Sequence, residues 1–315
     1  MAQTVQIAVL ADIHGNLPAL EAVLADLPPN LSAVVVAGDL AGGGPYPLEC
    51  LRRLQALGAW VIRGNNEDYL TAFDRGQTPP GWRTGQQWAV MRWAYRQLDR
   101  DALNFVTALP AQGVLALEGC APIRVVHGSL RSTREGLYPD RDPERLALFR
   151  QAGMLAEGES PAPLSVALAG VDEPVLICAH VHIPWRQEEG GCLALNPGAV
   201  GGSDDGDARA KYALLTWNGS HWQVEHRAVA YDLDRTRRAF QESGLLAAGD
   251  GLARAVLADV CGGRNLTGRL VGYAYKLARE AGMAAEAEAR GAVPDEIWER
   301  AVQTFAWGQA PQVAW

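Results

Sequence analysis

Cysteine is scarce in this chain of 315 residues: five occur, at positions 50, 120, 178, 192 and 261, widely spaced and without a C-x-x-C pair. That spacing excludes a disulfide framework or a zinc ribbon. Each cysteine reads as a small buried hydrophobe, and a reducing cytoplasm is the expected compartment. Long apolar runs are missing as well, and none approaches the ~20 residues that cross a bilayer. The first residues, Met1 to Gln6, carry neither a basic segment nor a long apolar one, so no signal peptide is expected. There is also no run of Lys or Arg, and the formal net charge is −8. An acidic chain of this kind is poorly made for gripping long nucleic acid. A small anionic substrate would need a local positive centre, which bound metal ions would supply.

What is present begins with alternating strand and helix patterns. Residues 5–10 read as a strand, 17–27 as a helix, 33–37 as a β-branched strand buried on both faces, 47–57 as a helix opened by Pro47, and 59–62 as a third strand. That β-α-β-α-β order implies a parallel sheet with right-handed crossovers. Residues 86–109 read as two helices, with Trp88, Met91, Tyr95 and Leu98 on one face as packing residues. Strand patterns resume at 113–117 and 123–126, and a helix is expected over 141–155. Further strands follow at 175–178, 192–195 and 212–217, then an Asn218-Gly219 turn into 222–227. From Asp232 to the end the pattern is helical and Ala-rich, with Asp232 or Asp234 as its first cap.

Five short segments follow predicted strands: Asp12-Ile13-His14, Gly38-Asp39, Gly64-Asn65-Asn66-Glu67, His127-Gly128 and His180-Val181-His182. Ligands of open parallel sheets gather at the carboxyl ends of strands, so these segments are expected on one rim. Carboxylate, imidazole and amide oxygen suit divalent Mn, Fe, Zn or Co better than ions that prefer thiolate. Only six histidines occur, and four of them lie in these segments, while His221 and His226 fall outside and read as structural. Singly, each segment is explained by a helix cap or a Gly-containing turn. Together they repeat one metal-binding order.

That order, D-x-H, G-D, G-N-x-[DE], H-G and [GA]-H-x-H, resembles the calcineurin-like metallophosphoesterase family over residues 5–217. The turn Asn196-Pro197-Gly198-Ala199-Val200-Gly201, the stretch from Asp205 to Tyr212, and His127-Gly128-Ser129 with Leu137-Tyr138-Pro139-Asp140 are similar to a bacterial branch of it. The resemblance implies a four-layer α/β-β/α sandwich with added helices. It implies one metal on Asp12, His14, Asp39 and His182 and a second on Asp39, Asn65, His127 and His180, with Asp39 bridging. Two divalent ions are therefore expected, manganese foremost, with Fe, Zn, Co, Ni or Mg as alternatives. A metal-bridging hydroxide would attack phosphorus, with no covalent phospho-enzyme.

The departures shape the expected substrate. Asn66 stands where many members carry the His that protonates the leaving oxygen, and an amide cannot act as a general acid. That favours phosphodiesters or anhydrides over alkyl monoesters. Asn66 and His127 are the candidate catalytic positions, with Glu67, Arg63 and Arg131 as further candidates, and surface salt-bridging is the other role open to the two arginines. Leu40-Ala41-Gly42 replaces the Asp-Arg-Gly context of Ser/Thr protein phosphatases, which argues against that activity, and Ala179 replaces a usual Gly. The expectation is a small-substrate phosphodiesterase. The alternatives are a dinucleoside polyphosphate hydrolase, a general phosphatase, or a non-catalytic scaffold on the same fold. Residues 1–231 are expected to form the metallophosphoesterase domain, with a helical insertion at about 70–109. Residues 232–315 form a helical extension that either simply packs on it, caps the site or makes a subunit contact. The oligomeric state is left open, and no membrane association is expected.

Overall fold

In the run Ile7-Ala8-Val9-Leu10 alternate side chains enter two different cores, so both faces of the strand are buried. The structure, a computed structural model, describes residues 5–156 and 158–308. Ten strands are described: β1 Val5–Leu10, β2 Ala33–Ala37, β3 Trp60–Ile62, β4 Gln112–Leu115, β5 Ile123–Val126, β6 Val175–Ile177, β7 Trp185–Glu189, β8 Cys192–Asn196, β9 Ala210–Trp217 and β10 Trp222–Val229. They form two five-stranded sheets, in the orders β10-β9-β1-β2-β3 and β4-β5-β6-β8-β7. The strands β1, β2 and β3 are parallel, with Val9 opposite Val35 and Val36 opposite Val61. In the second sheet β5, β6 and β8 are parallel, and antiparallel strands close both edges.

The sheets face each other across a core of Val9, Val35 and Ile62 on one side and Ile123, Ile177 and Leu195 on the other. Helices Leu17–Asp26 and Pro47–Leu57 cover the outer face of the first sheet through Leu20, Val23, Leu51 and Leu54. Helices Pro143–Gln151 and Leu164–Ala167 cover the second through Phe149 and Leu164. This is the four-layer α/β sandwich. Its parallel strands send their carboxyl ends, and the turns that follow, to one rim.

Local chemistry sets the boundaries. The helix expected over 141–155 starts at Pro143, because Asp142 accepts a hydrogen bond from Arg145 N, and it stops at Gln151 before Gly153 at φ 77°. The 86–109 segment is a 3₁₀ turn at Gln86–Trp88 followed by helices Ala89–Gln97 and Arg100–Ala108, the last capped by Asp99. Trp88, Met91, Tyr95 and Leu98 all join the first outer core. Asp232 caps Leu233–Glu242, and Asp234 lies in its first turn. The strand β7 was not anticipated. Its sequence Trp-Arg-Gln-Glu-Glu lies at a sheet edge, where only Trp185 is fully inward.

Beyond the sandwich come helices Leu233–Glu242, Leu245–Gly262, Leu266–Glu280, Ala284–Arg290 and Asp295–Thr304, the last four of which bury their own core of Leu270, Leu277, Ile297 and Trp298. The second of them is interrupted at Asp250, which sits at φ 37°. They dock on the helices between β3 and β4. Val90 packs with Phe240, Leu245 and Ala253. The indoles of Trp82 and Trp88 both donate to the Gly291 carbonyl, at 3.0 and 2.9 Å. The helical pattern read to Trp315 and the reading of the first residues lie partly outside the described residues, at 309–315 and 1–4. Among the described residues no helix is long and apolar enough to cross a membrane.

Candidate metal centre

Five turns at strand carboxyl ends meet on the rim between the sheets. Asp12 and His14 follow β1, Asp39 follows β2, Asn65 follows β3, His127 follows β5, and His180 and His182 follow β6. These turns are laced to one another. Ile13 and His14 donate their backbone N–H to the Asp39 carbonyl at 2.8 and 2.9 Å, and Ala179 N donates to the His127 carbonyl at 2.6 Å. Close approach demands glycine at two places. A Cβ on Gly38 would lie 2.6 Å from Gly64 N and 2.7 Å from His127 Nδ1, and one on Gly64 would collide with the Asp39 carboxylate.

The backbone here is strained. Asp12, His14, Asp39 and His180 have φ of 52°, 50°, 54° and 69°, and Asp250 is the only other non-glycine at positive φ among the described residues. Such conformations persist only where surrounding structure enforces them, and they cluster at functional sites.

The donor set suits divalent cations. His14 Nδ1 bonds the Gly42 carbonyl at 3.1 Å and His127 Nδ1 bonds the Ala37 carbonyl at 2.7 Å, which leaves each Nε2 facing the centre. His182 directs Nδ1 to Asp204 Oδ2 at 3.6 Å. An outer oxygen that fixes the inward nitrogen is the arrangement of metal-bound imidazoles. The Nε2 atoms of His14 and His182 lie 3.2 Å apart. Asp12 Oδ1 is buried without a hydrogen-bond partner, 3.5 Å from His182 Nε2 and 3.9 Å from His127 Nε2. Asp39 turns Oδ1 to His127 at 3.5 Å and Oδ2 to His14 at 3.7 Å. Asn65 Oδ1 lies 3.2 Å from His127 Nε2, and the His180 ring stands 5.4 Å from the His127 ring. Two groups have ligand atoms close enough to share an ion, Asp12-His14-His182 and Asp12-Asp39-His127, so here Asp12 joins both.

Charge follows the same pattern. Burial opposes ionisation of Asp39 and Asp12, but His127 beside the first and His182 beside the second more than offset it and hold both carboxyls below their ordinary range. Burial disfavours imidazolium, yet Asp39 lifts His127 to about 9 and Asp12 lifts His182 to about 10. Burial lowers His14 and takes His180 down to about 4. The two carboxylates thus draw positive charge into the cluster, the role a cation would fill.

The second tier of candidates lies elsewhere. Glu67 is fully buried, and its oxygens accept N–H groups from Asp39, Leu40 and Gly64 at 2.8 to 2.9 Å. It binds two ligand-bearing turns together, with both its oxygens taken by backbone N–H groups. Arg63 pairs with Asp68 at 2.7 Å and bonds the Leu109 carbonyl, while Arg131 forks onto Glu135. Both arginines line a separate hollow of about 390 Å³, as surface ion pairs. Asn66 does reach the centre: its backbone N donates to Asp39 Oδ1 at 2.8 Å and its Nδ2 to Asp39 Oδ2 at 2.6 Å. His226 donates to the Asn196 carbonyl, and His221 stays in the exposed hairpin turn.

A profile of the calcineurin-like phosphoesterase superfamily domain matches residues 5–220. The chain belongs to this superfamily. It is 26% identical over 234 residues to an uncharacterized protein of Methanocaldococcus jannaschii, covering 73% of this chain and 89% of that one. Over 72 residues it is 36% identical to a symmetrical bis(5'-nucleosyl)-tetraphosphatase of Psychromonas ingrahamii, covering 22% of this chain and 26% of that enzyme. A crystal structure of a metallophosphoesterase from Sphaerobacter thermophilus superposes with a TM-score of 0.61 at 24% identity, over 83% of this chain and all of that one.

Three supports hold the cluster from outside the ligand-bearing segments, two of them in the Asn196–Gly201 turn that the sequence singles out. Asn196 donates through Nδ2 to the carbonyls of Ala179 and Val181, at 3.0 and 2.8 Å, and so clamps the segment bearing His180 and His182. Val200 and Gly201 then donate to the Ala11 and Asp12 carbonyls, tying β8 to the end of β1. This accounts for the Asn-Pro-Gly turn. Asp204 lies behind His182, and only its position six residues after that turn begins to single it out.

Proposed function

We propose that this protein is a phosphodiesterase that works with two divalent metal ions, held by Asp12, His14, Asp39, Asn65, His127, His180 and His182. The single observation behind this reading is the convergence of His14, His127 and His182 Nε2 on Asp12 and Asp39, with each Nδ1 directed to an oxygen outside the cluster. Bound there, two ions would neutralise phosphoryl charge and lower the pKa of a water so that it attacks phosphorus. Asp12 belongs to both groups of ligand atoms, but Asp39, with Oδ1 toward His127 and Oδ2 toward His14, remains the bridging candidate, and Asn66 fixes its orientation through two hydrogen bonds. Asn66 cannot pass a proton to the departing oxygen, so the leaving group must carry its own charge. That requirement favours diesters with acidic leaving alcohols over alkyl monoesters, and manganese is the first metal to load.

The local identity with a dinucleoside tetraphosphatase supports a second reading, in which the scissile bond is an anhydride. A screen of Mn-loaded protein against 4-nitrophenyl phosphodiesters, sugar phosphates and dinucleoside polyphosphates separates the two, with metal counted by elemental analysis. Two equivalents of metal and fastest turnover of the diesters are expected. Fewer than two equivalents after loading with excess Mn, together with no metal-dependent hydrolysis of any class, sinks the proposal in favour of a non-catalytic scaffold. Preference for the polyphosphates replaces it with the second reading.

A further inference from the structure

Above the ligand cluster lies a cavity of about 640 Å³ whose two sides differ in chemistry. Its floor is polar, formed by His14, Asn65, Asn66, His180, His182 and Asp204. Its roof comes from the C-terminal helices, through Leu252, Val256, Val260, Val271 and Tyr275. A side wall of Trp88, Val90 and Met91 completes the apolar surface. The two carboxylates on the lining are already engaged: Asp259 of the roof takes the N–H groups of Leu266 and Thr267 at 2.6 and 2.9 Å, and Asp204 of the floor stands behind His182. Among the described residues no Lys or Arg lines this cavity.

From this division we infer that the C-terminal helices form a specificity roof for a large apolar substituent on a singly charged phosphodiester. The inference rests on the phosphodiesterase reading and narrows its substrate class. A phosphate seated on the floor has only the metal ions as cations, so a chain of further phosphates would find no positive partner in the cavity. The ester group that points away from the floor meets mainly Val, Leu and aromatic surface, interrupted by Gln87, Asn265 and Thr267, and that surface rewards apolar area. The roof residues are half-buried, and so contactable, except Val260, which is 5% exposed.

The test uses 4-nitrophenyl alkyl phosphates from methyl to hexyl with the full-length, Mn-loaded protein. The leaving group is constant across the series, so only the fit of the alkyl group varies. We expect kcat/KM to rise by about fourfold per added methylene until the cavity is filled. In the double variant Val256→Thr, Val271→Thr, which keeps shape and adds hydroxyls, the rise should shrink to under about twofold per methylene, with the methyl ester little changed. A parallel series of n-alkylphosphonates, titrated by calorimetry, reads the same gradient without turnover. A flat chain-length dependence in both series overturns the roof while hydrolysis of the methyl ester leaves the phosphodiesterase reading standing. A binding gradient that the double variant abolishes, with no hydrolysis of any ester, supports the roof and overturns that reading. A steep gradient unchanged in the double variant, provided its circular dichroism matches wild type, also overturns the roof, because the apolar group then binds elsewhere.

Discussion

The floor and the roof of the cavity are held in place in contrasting ways. On the floor, four candidate ligands sit at positive φ in turns stitched together by backbone hydrogen bonds, so their side chains have little freedom to move. On the roof, Leu252, Val256 and Val271 stand on helix faces, the first two just past the break at Asp250, whose position depends on how a whole helical layer docks against Val90, Trp82 and Trp88. Strain and cross-bonding suit a task in which ångström-scale placement decides the chemistry. Helix faces suit a task in which shape and apolar area are enough, and they can change without disturbing the floor. Damage to the floor should therefore abolish reaction, and damage to the roof should only reassign it.

The floor gives the largest expected effects. In Asp39→Ala, hydrolysis should fall by more than about 10³-fold, beyond the 10- to 100-fold typical of outer partners, and fewer than two metals should remain bound. Elemental analysis and initial rates at saturating Mn check this, and near-normal turnover would refute a bridged pair of ions. Asp204→Asn tests the layer beneath, where a carboxylate 3.6 Å from His182 Nδ1 orients the ring. Metal affinity should weaken by about 10- to 100-fold, with turnover recovering at high Mn. A loss of kcat that high metal does not restore would assign Asp204 a role other than positioning His182.

A smaller effect is expected where roof and floor adjoin. Burial raises the Asp259 carboxyl to about 7 although two backbone N–H groups favour its charged form. The folded state therefore holds a proton that the unfolded state releases near 3.8. Stability should fall as pH rises from about 4 to about 7, because over that span the folded chain binds more protons. Asp259→Asn removes this dependence and one hydrogen-bond acceptor. Its Tm should lie below wild type at pH 4 to 5 and close the gap by pH 7. Parallel Tm curves from pH 4 to 8 would show that Asp259 does not titrate in this range.

Much of the floor was legible because its chemistry is written in short segments at strand ends. The apolar runs at β1, β2 and β3 announce a parallel sheet, and residues such as Asp12, His14 and Asp39 follow them directly. The supports were less legible. Asn196 and Glu67 lie in segments that the sequence singles out, but their roles as a clamp on the histidine segment and as an acceptor of backbone N–H groups do not show there, and Asp204 lies in no such segment. Arg63 and Arg131 adjoin motif residues but turn away to carboxylates of their own. The roof was legible as helix, with capping the site as one of three roles open to it, but the residues that line the cavity were not. An Ala-rich amphipathic pattern reveals one buried face, whereas Val256 and Val271 line a cavity from positions that periodicity does not distinguish from ordinary packing.

Asn66 belongs to the floor yet meets the substrate side, and changing it should give the smallest effect of this set. Its amide bonds Asp39 Oδ2 at 2.6 Å and lies 3.2 Å from His14 Nδ1, so it positions Asp39 and offers no acidic proton. Without an acid, the rate should depend steeply on leaving-group pKa, since each pKa unit is worth about 1.4 kcal/mol and is only partly offset. Asn66→His introduces an imidazole that can donate, while it removes a hydrogen bond to Asp39. The two changes oppose each other. The gain on alkyl leaving groups should therefore stay near tenfold or less, below the 10²- to 10⁴-fold typical of general acid catalysis. Aryl esters should be unchanged or slower. A series of phosphodiesters spanning phenol to alkyl leaving groups, run on both proteins with metal content matched, measures the two slopes. A flatter slope for Asn66→His sharpens the view that this floor lacks an acid by design of its sequence. Equal and shallow slopes would mean that another group already protonates the departing oxygen.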